Sequence, residues 1–206
     1  MAFTVVGGAG GGAPLTGRKA HVTFDYDQTH HPHYALLQVG AAAGSPPGLC
    51  LALTMAWLQN WKTGQGKTAY NKWVGAGGGG DAGVLANMVG IFNPANQWVA
   101  TTGQLMAGMG FHAQGGLGGP EAWMAVAKKL PELMPEARYM ILMAHSANAG
   151  HAMGLMRTKD SAHFFDPNHG EIFFQDLQEC ATWLTAGKYR TACLGNMDKA
   201  HWLQFS

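Results

Sequence analysis

Three residues that lie far apart in the sequence, Cys50, His151 and Asp166, have side chains suited to nucleophilic catalysis. Cys50 follows a Pro-Pro-Gly break at residues 46–48 and begins an apolar stretch that predicts a helix. The positive end of a helix dipole favours a thiolate over a thiol, and the thiolate is the nucleophile. A neutral imidazole at His151 could take the thiol proton, and a carboxylate at Asp166 could orient the ring. These residue types therefore predict a nucleophile, a base and an orienting acid.

A predicted β-hairpin explains how His151 and Asp166 could meet. Residues 150–158 and 162–168 have the composition of strands, and a charged turn separates them. If the turn centres on residues 158–159, position 151 pairs near position 166, and both side chains lie on one face. Each residue also has a simpler interpretation: a buried free thiol, a hydrogen-bonded core histidine, and an Asp-Pro-Asn turn former. The combination favours chemistry over three separate structural roles.

Helical patterns dominate the first part of the chain, and strand patterns dominate the second. Helices are predicted over residues 49–61, 77–89, 94–110, 118–133 and 176–187. Strands are predicted over residues 21–27, 138–146, 150–158, 162–168, 170–175 and 188–195. Pro120 suits the first turn of one helix, and Asp176 is the expected N-cap of another. This segregation of helices and strands is typical of the α+β class.

The composition excludes several classes of protein. The formal net charge is +1 and only 12% of residues are charged, whereas nucleic-acid binders normally carry a clustered basic excess. No apolar run is long enough to predict a transmembrane segment, and the N-terminus lacks the pattern of a Sec signal peptide. The odd number of cysteines argues against a disulfide framework, and pairing of Cys180 with Cys193 stays open.

No metal and no cofactor is predicted. The stretch Gly-Gln-Gly-Lys-Thr at residues 64–68 has Trp61 where a P-loop requires glycine. Two groups of side chains lack the spacing of a structural zinc site: His30, His31 and His33, and His163, Asp166 and His169.

Three stretches carry a resemblance to a known family: GLCLALTMAWL around Cys50, GHAMGLM around His151 and FFDPNHGE around Asp166. They resemble papain-like cysteine peptidases of the YopT/AvrPphB type, family C58, over about residues 34–195. The patterns H-A-M-x-L and F-D-P-N-x-G are the most specific. The resemblance implies that Cys50 is the nucleophile, His151 the base and Asp166 the orienting acid. It also implies a papain-like α+β fold, in which a helical subdomain carrying the nucleophile packs against an antiparallel β-sheet.

One departure from the family pattern concerns the oxyanion hole. Papain-like enzymes usually supply a Gln or Asn donor a few residues before the cysteine, but residues 45–49 here are Ser-Pro-Pro-Gly-Leu. Gln38 lies further upstream and is the candidate side-chain donor. The backbone N–H of Cys50 is the other expected donor, as amides at a helix start usually are.

The predicted function is cleavage of a protein substrate, a host protein, through a thioester intermediate. The same triad could instead support deamidation, transglutamination or peptidoglycan amide hydrolysis, and a non-catalytic binding domain on this fold is a further alternative. A bacterial virulence effector of this kind would be secreted or delivered into a host cell by a non-Sec route, or otherwise be cytoplasmic. Residues 1–20 are predicted to be a flexible Gly-rich lead, and residues 21–206 a single catalytic domain. No nucleic acid and no metal are expected as partners, and no transmembrane segment is expected.

Overall fold

A computed structural model of the chain describes residues 21–24, 49–64, 98–135, 138–146, 150–186, 189 and 194–206. Several predictions fall outside these residues: the lead at residues 1–20, the helix at residues 77–89, Gln38 and Cys193.

Seven strands of the described residues form one antiparallel sheet with the order β1-β6-β5-β4-β3-β7-β2. The strands are β1 (His21–Phe24), β2 (Gly118–Ala122), β3 (Tyr139–His145), β4 (Gly150–Arg157), β5 (Ala162–Asp166), β6 (Gly170–Phe174) and β7 (Lys199–Phe205). Strands β3 to β6 follow one another along the chain and are neighbours in the sheet, as a meander of hairpins requires.

Helices cover both faces of this sheet. They are α1 (Leu49–Lys62), α2 (Trp98–Gly108), α3 (Trp123–Lys128), α4 (Leu130–Leu133) and α5 (Leu177–Thr185). In β3, Met140 and Leu142 face an apolar cluster with α3, α4 and α5, whereas Ile141 and Met143 face a cluster with α1 and α2. Because both faces are covered, the central strands are apolar at nearly every position instead of alternating with polar residues. None of the described helices is long and apolar enough to cross a membrane.

Most of the predicted elements are confirmed, and the α+β class with them. The exceptions lie beside β7. Residues 118–122 were expected to begin a helix but form β2, which pairs antiparallel with β7 from Gly118↔Trp202 to Ala122↔Lys199. The last strand of the sheet is Lys199–Phe205 and not the predicted 188–195, of which Tyr189 is helical. Local sequence suggested a helix start at Pro120, but pairing with a strand about 80 residues away decides the conformation of residues 118–122.

Helix α1 packs directly against the backbone of β4 at Gly154, which has no side chain. A Cβ atom at Gly154 would lie 2.7 Å from the indole ring of Trp57 and 3.2 Å from Thr54. The hydroxyl of Thr54 donates a hydrogen bond to the backbone oxygen of Ala152 at 3.2 Å. This contact fixes α1 against the part of β4 that adjoins His151.

Candidate active site

Cys50 is the second residue of α1 and is buried, with 8% of its surface exposed. It shares an apolar cluster with Met143 and Ala152, on the α1 face of the sheet. Its thiol also has polar neighbours, because it hydrogen-bonds the side chain of His151 and the backbone of Ala152 and Leu51. The sulfur therefore has hydrogen-bonding partners. A sulfur enclosed by apolar groups alone would have argued against a reactive thiol.

His151 is the second residue of β4 and lies between Cys50 and Asp166. Its Nε2 is 2.7 Å from Oδ1 of Asp166, and both side chains are almost fully buried. Since Nε2 is engaged by Asp166, Nδ1 is the ring nitrogen left for the hydrogen bond with Cys50. The structure thus brings together the three side chains that the sequence singled out.

The register of the hairpin differs from the expected one. Strands β4 and β5 pair from Gly154↔Phe165 to Arg157↔Ala162, so the turn centres on residues 159–160, one position later than predicted. Continuing this register puts position 153, and not His151, opposite Asp166. His151 lies two residues before position 153 in β4, on the same face, and reaches Asp166 along the diagonal. A shift of two residues preserves the face, which is why the two side chains still meet.

Asp166 is the last residue of β5, and its carboxylate is fully buried with donors on both oxygens. Oδ1 accepts from the backbone N–H of Asn168 at 2.8 Å as well as from His151. Oδ2 accepts from the Tyr189 hydroxyl at 2.5 Å. The Asp-Pro-Asn sequence therefore forms a turn and also presents a carboxylate to the imidazole.

The mutual contacts of these groups change their proton affinities. Burial opposes ionisation of Asp166, but the charge and hydrogen bond of His151 outweigh it and lower the pKa of Asp166 to about 2. Burial likewise disfavours the imidazolium, but Asp166, and then Cys50, raise the pKa of His151 to about 10. Burial also opposes the thiolate, yet the hydrogen bond and charge of His151 leave the pKa of Cys50 below its ordinary 9.0. These directions together favour a thiolate beside an imidazolium.

Cys180 and the residues considered as a metal group have surroundings different from those of Cys50. Cys180 is fully buried in α5, where burial raises the pKa of its thiol. The side chains His163 and Asp166, considered above as a possible metal group, point to different partners: Asp166 binds His151, and His163 binds Glu171. Within the described residues, no group of three or more His, Cys, Asp or Glu side chains is arranged to hold a metal ion.

A second buried polar network, not anticipated from the sequence, centres on Glu171. Its Oε1 is 2.9 Å from Nδ1 of His163. Its Oε2 accepts from the indole N–H of Trp57 at 2.6 Å and from that of Trp61 at 3.2 Å. Both tryptophans belong to α1, so the network ties the helix that carries Cys50 to the β5–β6 hairpin. The spacing of Trp57 and Trp61, one helical turn apart, was the only sequence signal that these two residues share a face.

Tyr189 is the other residue that sequence reasoning missed. It lies beyond α5 within a stretch predicted as a strand, and its ring is 1% exposed. Nothing in the local sequence indicates a contact with a carboxylate 23 residues earlier.

Comparison with known proteins yields one family model and several solved structures. Residues 123–191 match Peptidase_C58, described as the Yersinia/Haemophilus virulence surface antigen family. The matched range contains His151 and Asp166, and Cys50 lies before it. No curated protein matches the chain at the sequence level.

Two of the similar solved structures are an avirulence protein and a domain of a toxin. The Pseudomonas avirulence protein AvrPphB is 13% identical, with a TM-score of 0.63 over 88% of this chain and 95% of that chain. PatoxP, a cysteine protease-like domain of the Photorhabdus asymbiotica toxin PaTox, is 16% identical, with a TM-score of 0.51. That match covers 92% of this chain, which spans 54% of the PatoxP chain. At these identities the likeness shows a common fold.

The helices and antiparallel sheet of this chain have the papain-like arrangement of AvrPphB, and the family match covers the segment that bears His151 and Asp166. The resemblance to cysteine peptidases of the YopT/AvrPphB type, which the sequence motifs indicated, is thereby confirmed.

Proposed function

We propose that this chain is a cysteine peptidase in which Cys50 is the nucleophile, His151 the general acid and base, and Asp166 the acid that orients the ring. The observation that carries this proposal is the contact of the Cys50 thiol with the imidazole of His151, whose other nitrogen is 2.7 Å from a buried carboxylate. A nucleophile, a base and an orienting group within hydrogen-bond reach are the requirements for covalent catalysis.

In this mechanism the Cys50 thiolate attacks the carbonyl carbon of a peptide bond. The imidazolium of His151 then donates its proton to the leaving amine, which leaves a thioester on Cys50. His151, now neutral, takes a proton from water as the water attacks the thioester, and the released thiolate recovers its imidazolium partner. Asp166 stays ionised throughout, because its low pKa makes it a poor acceptor of that proton.

The oxyanion of the tetrahedral intermediate requires donors. We assign this role to the backbone N–H of Cys50, at the first turn of α1, and to the side chain of Gln38. Gln38 lies outside the described residues, so its part stays a prediction. A side-chain donor of this kind contributes roughly 10²–10³ in turnover in other acyl-transfer enzymes.

The substrate class that fits the proposal is a protein. The solved structures similar to this chain are an avirulence protein and a toxin domain, and the matching family is described by virulence. We therefore propose a bacterial effector that is secreted or delivered into a host cell and cleaves a host protein there, with residues 21–206 as one catalytic domain. No cofactor takes part in the chemistry proposed.

The decisive experiment compares new protein N-termini in a host-cell lysate treated with the wild-type chain and with Cys50→Ala. We expect a small set of N-termini that the wild type produces and Cys50→Ala does not. Cys180→Ala is the matched control, since it removes a thiol that is buried in α5 and should leave the same set. Identical sets for wild type and Cys50→Ala would overturn the proposal. Conversion of a glutamine side chain to an acid at unchanged chain length would favour a deamidase instead.

A further inference from the structure

The orientation of the buried Asp166 carboxylate depends on which groups hold its two oxygens. His151 and the backbone N–H of Asn168 both bind Oδ1, at 2.7 and 2.8 Å. A carboxylate held at one oxygen alone can rotate about its Cβ–Cγ bond, since this sp³–sp² torsion has broad minima. A fixed orientation therefore requires a donor at Oδ2.

The Tyr189 hydroxyl supplies that donor. It donates to Oδ2 of Asp166 at 2.5 Å, and it also lies 2.9 Å from the sulfur of Met153. The oxygen is the better acceptor, because a carboxylate bears a charge whereas a thioether accepts only weakly. Met153 is the next residue of β4 on the same face as His151. The hydroxyl therefore lies between β4 and the end of β5, where Asp166 is.

Aromatic packing fixes the ring that aims this hydroxyl. The ring of Tyr189 lies 4.9 Å from that of Trp183, 5.5 Å from that of Phe164 and 6.2 Å from that of Trp123, measured between centroids. These neighbours come from α5, β5 and α3, and they enclose the ring on several sides. A tyrosine in such a cage loses little entropy when its hydroxyl binds, and the hydroxyl keeps one direction.

We propose that Tyr189 is a positioning residue of the active site: its hydroxyl holds Oδ2 of Asp166, so that Oδ1 stays directed at Nε2 of His151. The inference rests on the proposed function for its catalytic meaning, although the contact it describes is independent of turnover. Without the hydroxyl, Oδ2 would have lost its charge-assisted hydrogen bond, and Asp166 is too deeply buried for water to replace it. The carboxylate could then rotate away from the ring, and the imidazolium would lose part of its stabilisation.

The test is a proton-NMR titration of the His151 ring in the wild type and in Tyr189→Phe, with the His151 signal identified by its absence in His151→Gln. Phe retains the ring and its packing. The wild-type midpoint is expected near the pKa of about 10. We expect the midpoint in Tyr189→Phe to fall by about one pH unit, a tenfold change in proton affinity, because the freed carboxylate can rotate and Oδ1 no longer stays directed at the imidazolium. A loss of packing alone would lower stability without moving this midpoint.

Two control variants test whether the shift in the His151 midpoint is specific to the contact between Tyr189 and Asp166. Tyr139→Phe removes a tyrosine hydroxyl at the end of β3 remote from Ala144, which pairs with His151, and should leave the midpoint unchanged. Met153→Leu removes the sulfur but retains the volume, and it should also leave the midpoint unchanged. An equal shift in either control, or an unchanged midpoint in Tyr189→Phe, would overturn the inference.

A second measurement on the wild-type protein does not depend on the folding of a variant. The Tyr189 hydroxyl proton should exchange slowly with water and resonate downfield, because it is buried and bound to a carboxylate. Rapid exchange of this proton would count against the inference. The lysate experiment with Cys50→Ala reports on cleavage alone, so its failure would overturn the peptidase function and leave the contact of Tyr189 with Asp166 to be judged by the titration.

Discussion

Two buried histidine–carboxylate pairs lie on adjacent strands of this sheet and differ in what adjoins the imidazole. His151 and Asp166 join β4 to β5 at 2.7 Å, and His163 and Glu171 join β5 to β6 at 2.9 Å. The first pair is next to the thiol of Cys50. In the second pair the carboxylate instead accepts two indole N–H groups from α1. A histidine–carboxylate pair can thus act on a neighbouring thiol or hold two elements of the fold together. The group next to the pair decides which.

The two pairs also face opposite sides of the sheet. Asp166 shares a face of β5 with Phe164, which belongs to the cluster of α3 to α5, whereas His163 shares a face with Phe165, which belongs to the cluster of α1. Strand β5 carries one member of each pair, and α1 also connects them, because it carries Cys50 at its start and the two tryptophans two and three turns later. We infer that the second pair keeps α1 in place, whereas the first pair favours the thiolate of Cys50, the proposed nucleophile.

The largest difference between the pairs should appear when each histidine is replaced. His151→Gln should reduce cleavage on the order of 10³-fold and slow the labelling of Cys50 by iodoacetamide at pH 6 by about tenfold or more, because the thiolate loses its imidazolium. His163→Gln should retain both within about threefold. Labelling is measured by peptide mass spectrometry of the native protein, in which Cys50 should react much faster than Cys180 or Cys193. Equal losses in the two variants would show that the two pairs do not differ in their effect on Cys50.

The second pair should instead determine stability. Glu171→Gln removes the negative charge of the carboxylate to which His163, Trp57 and Trp61 hydrogen-bond. We expect the free energy of unfolding to fall by about 3 kcal/mol. Urea denaturation with linear extrapolation measures this loss. The control is Glu121→Gln, which breaks an exposed 3.0 Å pair with Lys129 and should cost less than about 1 kcal/mol. A loss no larger in Glu171→Gln than in the control would show that the buried network does not hold α1.

Unfolding in acid tests the role of the first pair, and the expected change in stability is smaller than for Glu171→Gln. The pKa of Asp166 is lowered from 3.8 to about 2 in the folded chain, so its contribution is present above pH 3.8 and is lost as the pH falls towards 2. The loss should reach about 2 kcal/mol, since the unfolded chain binds a proton that the folded chain does not. Unfolding free energies measured between pH 5 and 2 should fall less steeply in Asp166→Asn. The exposed turn variant Asp160→Asn should follow the wild type, and a wild-type slope in Asp166→Asn would contradict the pKa.

Much of the fold could be predicted from sequence, because local patterns decide most of it. The apolar run after the Pro-Pro-Gly break gives α1, and Asp176 caps α5 through a 2.7 Å bond to the N–H of Glu179. The strands β3 to β6 were visible as apolar runs between turns. The strand β2 was not, since Pro120 and Glu121 favour a helix start locally and only the pairing with β7 overrides them.

The residues of the candidate site were predictable by type, and their exact contacts were not. Motifs pointed to Cys50, His151 and Asp166, but the turn position was one residue off, which moved the expected register by two. Tyr189 and Glu171 gave no local signal, because a hydroxyl or carboxylate gains its role from groups that the fold brings from elsewhere in the chain. Long-range contacts of this kind carry no period and no spacing that a single sequence displays.

The glycine at position 154 affects where the Cys50 sulfur lies. The backbone of β4 touches the indole ring of Trp57 there, so the absence of a side chain lets α1, which carries Cys50, pack this closely against the strand. A methyl group at this point would lie 2.7 Å from the Trp57 ring, so the ring or the whole helix would have to shift, and a shift of the helix would move Cys50 relative to His151.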